Sequence, residues 1–333
     1  MKDIDFVVLW VDGNDPNWLA EKKEYSPLSV DDSNTASRFR DWGLMKYWFR
    51  SIESFAPWVR RIHFVTWGHL PPFLNTEHPK LHIVNHRDYL PERYLPTYSS
   101  HCLEMNLHRI EDLSDCFVYF NDDMFLTKPL QPEYYFRNGK PCTYFGEVPI
   151  GFIGKLEVWQ WASINNLCII NKYINKAETE KKNRGKFINR SYKLSDNLRS
   201  QLLLHVCKNY FTGFKNFHCP VAYLKSTFGY LWDIENDILE NTSMHKFRDK
   251  ADVNQWLALW WQIANGEFIP QRINSRVFSS TKEQEKQICY AIENQQYDTI
   301  CINDTEAPEA ELVYGSIRDS FQKAFPNKSE FEK

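Results

Sequence analysis

The stretch "FVYFNDDMFL", residues 117–126, joins a strand pattern to an acidic pair. The apolar, aromatic and β-branched run Phe117–Phe120 predicts a buried strand. It stops at Asn121, Asp122 and Asp123, and the chain then turns apolar again. Two adjacent carboxylates between hydrophobic flanks are costly to bury unless they are paired or bind a cation. The stretch therefore predicts a strand that leads directly into a polar site.

Strand patterns alternate with helical patterns on both sides of this stretch. Strands are predicted at 4–11, 61–67, 81–86, 116–120 and 296–302, and helices at 41–55, 99–110, 155–175, 195–210, 251–266 and 309–326. Ser99 and Ser100 suit the N-cap of the helix at 99–110, and Gly266 suits the C-cap of the helix at 251–266. This alternation predicts an α/β fold with a mostly parallel, Rossmann-like sheet between two layers of helices, and a more helical second half.

Acidic turns follow the predicted strand ends. Asp12–Asp15 follows the first strand, Asn121–Asp123 follows the fourth, and Asn303 and Asp304 follow the last. In parallel sheets, ligands bind at the carboxyl ends of strands, near the switch in strand order. We therefore expect the first two turns to lie at one cleft. Because Mg²⁺ takes one or two carboxylates together with substrate phosphates, Asp122 and Asp123 suit a phosphate-bound cation. The alternative is a turn whose carboxylates cap the backbone.

The composition excludes several classes of protein. With 333 residues and 43% apolar residues, the chain can bury a large core, so disorder is excluded. A net charge of −3 argues against nucleic-acid binding, and no apolar run approaches the ~18 residues of a membrane span. The start of the chain lacks the pattern of a signal peptide, and the eight Cys form no C-x-x-C pair. We expect a soluble, cytoplasmic protein with free thiols. Its 12 Trp and 17 Tyr exceed the needs of packing and are typical of clefts that bind sugars or nucleosides.

The segment 176–193 is unusually basic, with seven Lys or Arg against two Glu. Runs of like charge seldom pack, so the segment is predicted to be a solvated, mobile loop or insertion. The alternative interpretation is a lid or a contact for an anionic acceptor.

Three further residues become informative only together. Alone, His218 would be a structural hydrogen bonder, Arg248 a surface residue and Glu104 the solvent-facing acid of an amphipathic helix. Long motifs in series, however, resemble the Stealth family of hexose-1-phosphoryltransferases, which includes bacterial capsular polysaccharide phosphotransferases and the animal N-acetylglucosamine-1-phosphotransferase. The motifs are "IDFVVLWVDGNDP", "SRFRDWGLMKYWFRSIESFAPWVRRIHFVTWGHLPPFL", "LPTYSSHCLEMNLHRIEDLSDCFVYFNDDMF", "FHCP", "HKFRDKADVNQWLALWWQIANG" and "ICINDTEAPEAE".

The resemblance covers nearly the whole chain and implies roles residue by residue. The family's catalytic residues correspond to Glu104, Asp123, His218 and Arg248. The nucleotide-sugar side of the cleft would comprise Trp10, Asp12, Gly13, Asp15, Arg38 and Asp41. A site for Mg²⁺ or Mn²⁺ would comprise Asp123, assisted by Asp122, Asn303 and Asp304. The expected architecture is a GT-A-like catalytic unit over 1–333. Its nucleotide-sugar and metal half is 1–150 and its acceptor-side half is 151–333, from which 296–326 returns to the core.

The implied reaction moves a hexose 1-phosphate, such as N-acetylhexosamine 1-phosphate, from a nucleotide sugar to a saccharide hydroxyl. A UDP-sugar is the expected donor, and the acceptor is a saccharide, free or lipid-linked. His218 is the favoured base and Glu104 the alternative. The absence of the animal enzymes' recognition modules indicates the bacterial branch, where a peripheral contact with the inner face of the cell membrane is an open alternative. Two rival functions remain: a metal-dependent glycosyltransferase that moves only the sugar, and an inactive carbohydrate-binding module.

Overall fold

The computed structural model describes residues 3–26, 38–151, 154, 156–305 and 307–333. Its strands are β1 (Ile4–Leu9), β2 (Ile62–Thr66), β3 (Leu81–Asn85), β4 (Cys116–Phe120), β5 (Met124–Leu126), β6 (Phe136–Arg137), β7 (Lys140–Thr143), β8 (Val221–Leu224), β9 (Ile269–Pro270), β10 (Ser275–Ser279) and β11 (Thr299–Asn303). Its helices are α1 (Pro16–Tyr25), α2 (Met45–Phe55), α3 (His86–Tyr89), α4 (Ser100–Met105), α5 (Pro132–Tyr135), α6 (Val158–Tyr173), α7 (Lys176–Phe187), α8 (Leu194–Val206), α9 (Lys225–Ile234), α10 (Asn236–Met244), α11 (Trp256–Ala264), α12 (Glu285–Glu293) and α13 (Ala310–Ala324). Within the described ranges, the helices include none long and apolar enough to cross a membrane.

The main sheet has the strand order β3-β2-β1-β4-β8. Its first four strands are parallel and β8 runs antiparallel to β4, which confirms the predicted mostly parallel, Rossmann-like sheet. The chain builds outward from β1 to β3 and then returns to the other side of β1 with β4. The strand order therefore switches between β1 and β4, where Val8 pairs with Phe120. As a result, the residues after β1 and the residues after β4 lie side by side, as the sequence predicts.

Alternation along the strands supplies a core on each face of this sheet. Phe6 and Val8 of β1 belong to one buried cluster, whereas Val7 between them belongs to the other. Successive side chains of a strand point to opposite faces, so a strand without a polar face is covered on both sides. The first cluster includes Trp48, Tyr314 and Phe321, and the second includes Met105, Ile170 and Leu257. Helices therefore pack on both faces and hold the sheet edge in place.

Two small sheets extend this core. In the first, β11 pairs parallel to β10 and antiparallel to β5, so the last strand of the chain returns next to the residues that follow β4. In the second, β6 and β7 form a hairpin that β9 extends. Asn138 and Gly139 connect the hairpin with φ values of 52° and 71°, which is the favoured chemistry of a two-residue turn.

Several predicted elements differ at their ends. The helix predicted at 99–110 is α4 followed by a 3-10 turn at Leu107–Arg109, because the Asn106 side chain donates to Cys102 O at 2.9 Å and competes with the helical backbone. The helix predicted at 251–266 begins only at Trp256, and the one predicted at 155–175 is α6, with residue 155 outside the described ranges. Gly266 ends its helix with a φ of 70°, as expected of a C-cap.

The prediction of a loop for the basic segment 176–193 is wrong over most of its length. Helix α7 occupies Lys176–Phe187, where the sequence predicts a loop. Its first residue, Lys176, is fully buried and its Nζ lies 2.7 Å from Glu147 Oε1. The same ammonium group donates to the carbonyl oxygens of Leu203 and Cys207. A buried ion pair with these extra hydrogen bonds fixes the start of α7, and its acidic partner is too distant in sequence to be recognised from charge pattern.

Candidate active site

A cleft of about 730 Å³ opens at the carboxyl edge of the main sheet. Most of the predicted site residues line it: Trp10, Arg38, Asp41, Glu104, Asp122, Asp123, His218, Arg248, Asn303 and Asp304. The cleft volume is within the usual range for small-molecule sites, roughly 300–1,000 Å³. Asp12, Gly13 and Asp15 are not among its lining residues.

Asp123 lies where the main sheet meets the small sheet of β10, β11 and β5, in the short turn between β4 and β5. Its carbonyl oxygen accepts a hydrogen bond of 2.9 Å from the N–H of Ile302 on β11, which fixes its backbone. Its Oδ1 is buried and has no hydrogen-bond partner among the residues that the structure describes. An unsatisfied buried carboxylate oxygen is costly, and a cation would relieve that cost. The donor set at Asp123 therefore fits a divalent ion.

His218 reaches Asp123 because of the topology of β8. Tyr119 near the end of β4 pairs with Val221 at the start of antiparallel β8, so the residues just before β8 lie beside those just after β4. The His218 N–H donates to Asn216 Oδ1 at 2.8 Å, and the residue adopts a φ of 43°, an uncommon conformation for a non-glycine residue. Its Nε2 lies 3.8 Å from Asp123 Oδ2.

This pairing governs the charge of the imidazole. Burial alone would lower the pKa of His218, but the contact with Asp123 and the charge of Glu104 outweigh it, so the pKa is raised above its usual value. The protonated form of His218 is therefore stabilised while Asp123 bears its full negative charge.

Cys301 is a potential metal ligand that the sequence analysis did not identify. Possible ligand atoms of Asp123, His218 and Cys301 lie within 4.8 Å of one another. Among the described His, Cys, Asp and Glu residues, this grouping excludes Asp122 and Asp304, which the sequence had assigned to the metal. Burial and the charge of Asp123 raise the pKa of Cys301 well above its ordinary value, so the residue stays a thiol. Mg²⁺ requires oxygen ligands, which leaves Asp123 as the principal protein ligand for such an ion.

Asp122 carries the charge conflict of the acidic pair. Its pKa is raised to about 8, first by its enclosure in the cleft and then by the carboxylates of Asp123, Asp41 and Asp304. Its side chain nevertheless remains accessible to solvent within the cleft, so we attribute the direction of the shift chiefly to the like charges. We call Asp41, Asp122, Asp123 and Asp304 the acidic floor of the cleft. Their concentrated negative charge again favours a cationic ligand.

Glu104 is buried rather than solvent-facing. It lies on α4, where the Gln255 N–H donates to its Oε2 at 3.3 Å. Tyr119 Oη lies 3.3 Å from its Oε1 but makes the shorter contact, 2.7 Å, with Asn121 Oδ1. Because both contacts of Glu104 are long, the carboxylate retains acceptor capacity toward a ligand. The helix face that the sequence assigned to solvent is turned into the cleft instead.

Arg248 is positioned by the start of the same helix. Its Nη2 donates to Ser100 Oγ at 2.7 Å. Ser99 occupies the N-cap position, but its side chain makes no capping hydrogen bond, and the hydroxyl of Ser100 serves Arg248.

Buried Asp252 holds the bend that carries Arg248. The Nδ1 atoms of His101 and His245 lie 3.0 and 2.6 Å from its two carboxylate oxygens. The Asp249 N–H also donates to it, at 2.8 Å. These contacts span both sides of Arg248 in the sequence and fix its backbone against α4.

The first acidic turn supports the cleft from behind. Asp15 caps α1 by accepting from the N–H groups of Asn17 and Trp18, both at 2.9 Å. Gly13 packs against Phe39, and a Cβ at this glycine would lie only 1.9 Å from Phe39 O. Gly13 therefore permits the close approach of the segment that carries Arg38 and Asp41.

Aromatic side chains complete the cleft and were not individually identified from the sequence. They include Trp18, Trp42, Tyr98, Trp159, Trp256 and Tyr314. Trp42 stacks on Tyr314 with ring centroids 4.1 Å apart, and Arg40 lies over the Trp42 ring. Arg40 also lies 3.4 Å from Asp304, so the acidic floor is partly neutralised on this side. The richness in Trp and Tyr was the available signal.

Two family models and several curated relatives match this chain. Models of Stealth protein conserved region 1 and conserved region 2 match residues 2–29 and 38–143. The chain is 39% identical to the capsular polysaccharide phosphotransferase WcwK of Streptococcus pneumoniae, covering 100% of this chain and 99% of the relative. It is 34% identical to the receptor polysaccharide phosphotransferase WefC of Streptococcus oralis, covering 100% of both. It is 35% identical to the exopolysaccharide phosphotransferase cps2G of Lactiplantibacillus plantarum, covering 99% and 96%.

Among solved structures, the chain resembles the galactosyltransferase LgtC in complex with donor and acceptor sugar analogues. The TM-score is 0.34 and the identity 10%, over 98% of each chain.

Proposed function

The chain belongs to the Stealth protein family, and on this premise we propose that it transfers a hexose 1-phosphate from a nucleotide sugar to a saccharide hydroxyl. Like the relatives that match over its full length, it is an enzyme of the phosphotransferase class. The product is a phosphodiester within a capsular or cell-surface polysaccharide. The proposed donor is a UDP-sugar such as UDP-N-acetylhexosamine, and the acceptor is a saccharide, either free or carried on a lipid.

One observation carries the proposal. Asp123, His218, Glu104 and Arg248 come from distant parts of the chain and line a single cleft with the Arg38–Asp41 segment. The cleft combines an acidic floor, a guanidinium group and aromatic walls. Phosphoryl transfer depends mostly on positioning and charge stabilisation, and these are the groups that it requires.

The reaction exchanges one P–O bond for another. The oxygen of the acceptor hydroxyl attacks the phosphorus that carries the sugar, and the bond from that phosphorus to the nucleoside monophosphate breaks. The hydroxyl proton passes to a base in the cleft, and UMP leaves when the donor is a UDP-sugar. The Arg248 guanidinium donates to the phosphate oxygens, because its planar fork matches their geometry.

A divalent ion, Mg²⁺ or Mn²⁺, fits the acidic floor of the cleft. Asp123 would hold it through the oxygen that lacks a protein partner. Asp122, Asn303 and Asp304 line the same cleft and are the proposed assisting residues, although Asp122 and Asp304 lie outside the 4.8 Å grouping around Asp123. When bound, such an ion neutralises the donor diphosphate and stabilises charge on the leaving group.

His218 is the proposed base, and Glu104 orients the acceptor. Imidazole has the pKa best suited to proton removal near neutrality, and His218 lines the cleft with its Nε2 3.8 Å from Asp123 Oδ2. The pair with Asp123 raises the pKa of His218, so a cation on Asp123 would favour the neutral, basic form. Glu104 is the alternative base, since its carboxylate keeps free acceptor capacity.

The nucleotide that is released tests the proposal. The purified protein is incubated with Mg²⁺, a panel of UDP- and GDP-sugars and candidate saccharide acceptors, and the products are separated. UMP or GMP is the expected product and would also identify the donor. UDP or GDP would show that only the sugar moved, as in an ordinary glycosyltransferase, and would contradict the proposal.

A further inference from the structure

Helix α8 exposes an apolar stripe, although Leu204 on its other side is partly buried against the core. Its inward side carries buried Asp196 and Ser200. Its outward side carries Leu194, Leu198, Leu202 and Val206, whose exposed fractions lie between 59% and 74%. A surface helix normally buries its apolar stripe and exposes its polar one. None of the described residues covers this ridge, which we call the α8 leucine ridge.

The register of α8 is fixed, so the ridge cannot turn inward. Asp196 accepts hydrogen bonds from Tyr144 Oη at 2.7 Å and from Lys215 Nζ at 2.6 Å. Ser200 Oγ accepts from the N–H of Glu147 at 3.0 Å. Rotation of the helix would leave these buried polar groups without partners, which is expensive. The exposure of the leucines is therefore a built feature of the fold.

The part of the chain that carries the ridge is strongly basic. Between Lys176 and Tyr210, nine Lys or Arg stand against three Asp or Glu, in a chain whose net charge is −3. The exposed cations of this region are Lys181, Lys182, Arg184, Arg190, Lys193 and Lys208. Of these, Arg184 is paired with Glu180. Tyr210, 62% exposed, follows the end of the helix.

We propose that the α8 leucine ridge binds the surface of an anionic lipid bilayer. An apolar helix face bordered by Lys and Arg is the arrangement of interfacial helices, in which leucines enter the acyl boundary and cations contact anionic headgroups. Tyr210 would lie at headgroup level, where aromatic side chains are favoured. A second copy of the chain is a poorer occupant, because a two-fold contact through this face would bring its basic borders together.

Docking through α8 connects the bilayer to the cleft. Lys215, which Asp196 of α8 holds, lies three residues before His218 in the same segment. A docked α8 would therefore hold this segment of the cleft at the membrane surface. On the basis of the proposed function, this location suits an acceptor saccharide that is carried on a lipid.

Vesicle sedimentation of the full chain, without substrates, tests the membrane proposal independently of catalysis. One set of vesicles is phosphatidylcholine alone and the other is an equimolar mixture with phosphatidylglycerol. We expect binding to the anionic vesicles that weakens with added salt. The double variant Leu198→Glu/Leu202→Glu should bind at least ~10-fold more weakly, because two apolar insertions are lost. The matched control is Leu312→Glu on α13, where the leucine is 70% exposed and the change should leave binding unaltered.

A second variant keeps the test decisive if the leucine variant folds poorly by circular dichroism. Lys181→Glu/Lys182→Glu changes only exposed side chains and should also reduce binding to anionic vesicles. Undiminished binding by both double variants would overturn the proposal, as would loss of binding by Leu312→Glu alone. Failure of the wild-type chain to bind would overturn it too, and dimers that the leucine variant disrupts would then identify a second copy as the occupant.

Discussion

The two walls of the cleft are built in different ways. On the sheet-end wall, Asp122 and Asp123 lie in the turn that ends β4, and the backbone bond from Ile302 of β11 to Asp123 fixes this turn. On the helical wall, Arg248 is held by side-chain hydrogen bonds to Ser100 and, indirectly, by Asp252. A ladder of backbone bonds tolerates side-chain substitution, whereas a network of side chains loses its geometry with any member. Mutations on the sheet-end wall should therefore change chemistry alone, and those on the helical wall should change chemistry and stability together.

The largest effect is expected at Asp123. Asp123→Asn should lower turnover roughly 10³-fold or more even at saturating metal, because a bound cation is worth several kcal/mol to the transition state. The melting temperature should change little, since Asp123 Oδ1 has no described partner and the contact of Oδ2 with His218 is long, at 3.8 Å, and partly exposed. Nucleotide release and thermal unfolding measure the two quantities. The matched control Asp122→Asn should retain more activity, and a fully active Asp123→Asn would refute the metal assignment.

The base should show the next largest effect. His218→Ala should lower turnover by ~10²–10⁴-fold, the usual range for a general acid or base. Rates measured across pH for His218→Ala and Glu104→Gln would distinguish the two candidates, since only loss of the base removes the acidic limb of the profile. A loss of tenfold or less in His218→Ala would return His218 to a structural role.

Asp252→Asn should damage both chemistry and folding. The neutral amide cannot serve His101, His245 and the Asp249 N–H as the carboxylate does, so we expect a loss of about 1–3 kcal/mol in the free energy of unfolding. Turnover should fall about tenfold with little change in the donor KM, because Arg248 loses its position at the transition state.

A double-mutant cycle separates this positioning role from general destabilisation. If Asp252 acts through Arg248, then Arg248→Lys in the Asp252→Asn background should add much less than it does alone. Fully additive losses of turnover would contradict the proposed role of Asp252 in positioning Arg248. An unchanged melting temperature of Asp252→Asn would show that the two walls do not differ in their effect on stability.

Gly13→Ala tests the nucleotide side. The new Cβ would collide with Phe39 O, so the segment carrying Arg38 and Asp41 must shift. We expect the donor KM to rise about tenfold or less with kcat nearly retained, since binding rather than chemistry is disturbed. Gly229→Ala in α9, where a Cβ meets nothing within 4 Å, is the control and should leave KM unchanged. An unchanged donor KM in Gly13→Ala would show that the segment carrying Arg38 and Asp41 does not take part in donor binding.

The smallest effect concerns pH. The hydrogen bond to Asp252 raises the pKa of His245 above its ordinary 6.5. A raised folded-state pKa gives a stabilisation that is complete below 6.5 and is lost as the pH rises through the raised value. Urea unfolding of the wild type should show this loss, and His245→Gln should not. If the free energy of unfolding changed with pH in the same way in both proteins, the assigned pair of His245 and Asp252 would be contradicted.

The sheet-end wall could be predicted from the sequence because its determinants are local. Apolar runs followed by acidic turns located the ends of β1 and β4, and the rule for ligands in parallel sheets brought them together. The positions of His218 and Asn303 beside Asp123 depend on the antiparallel pairings of β8 and β11. Local pattern gives no access to these pairings, and only the family resemblance linked those residues to the cleft.

The helical wall and its supports depend on contacts between residues far apart in the chain. Nothing near Lys176 in the sequence indicates that its ammonium group is buried in an ion pair with Glu147, so the charge pattern alone predicted a loop. The contact of Gly13 with Phe39 and the grip of Asp252 on two histidines are equally invisible in the sequence. The hairpin at Asn138-Gly139 could have been predicted from the sequence, because that dipeptide is a strong turn signal.

The most direct test follows the phosphorus that carries the sugar. A nucleotide-sugar donor labelled with ³²P at that phosphorus is incubated with the protein, Mg²⁺ and the acceptor, and the saccharide product is separated from nucleotides. Breakage of the P–O bond predicts that the label enters the saccharide product as a phosphodiester in the wild type, and that Asp123→Asn transfers almost none. Label that remains entirely in the nucleotide, with unlabelled sugar in the product, would contradict the proposed reaction.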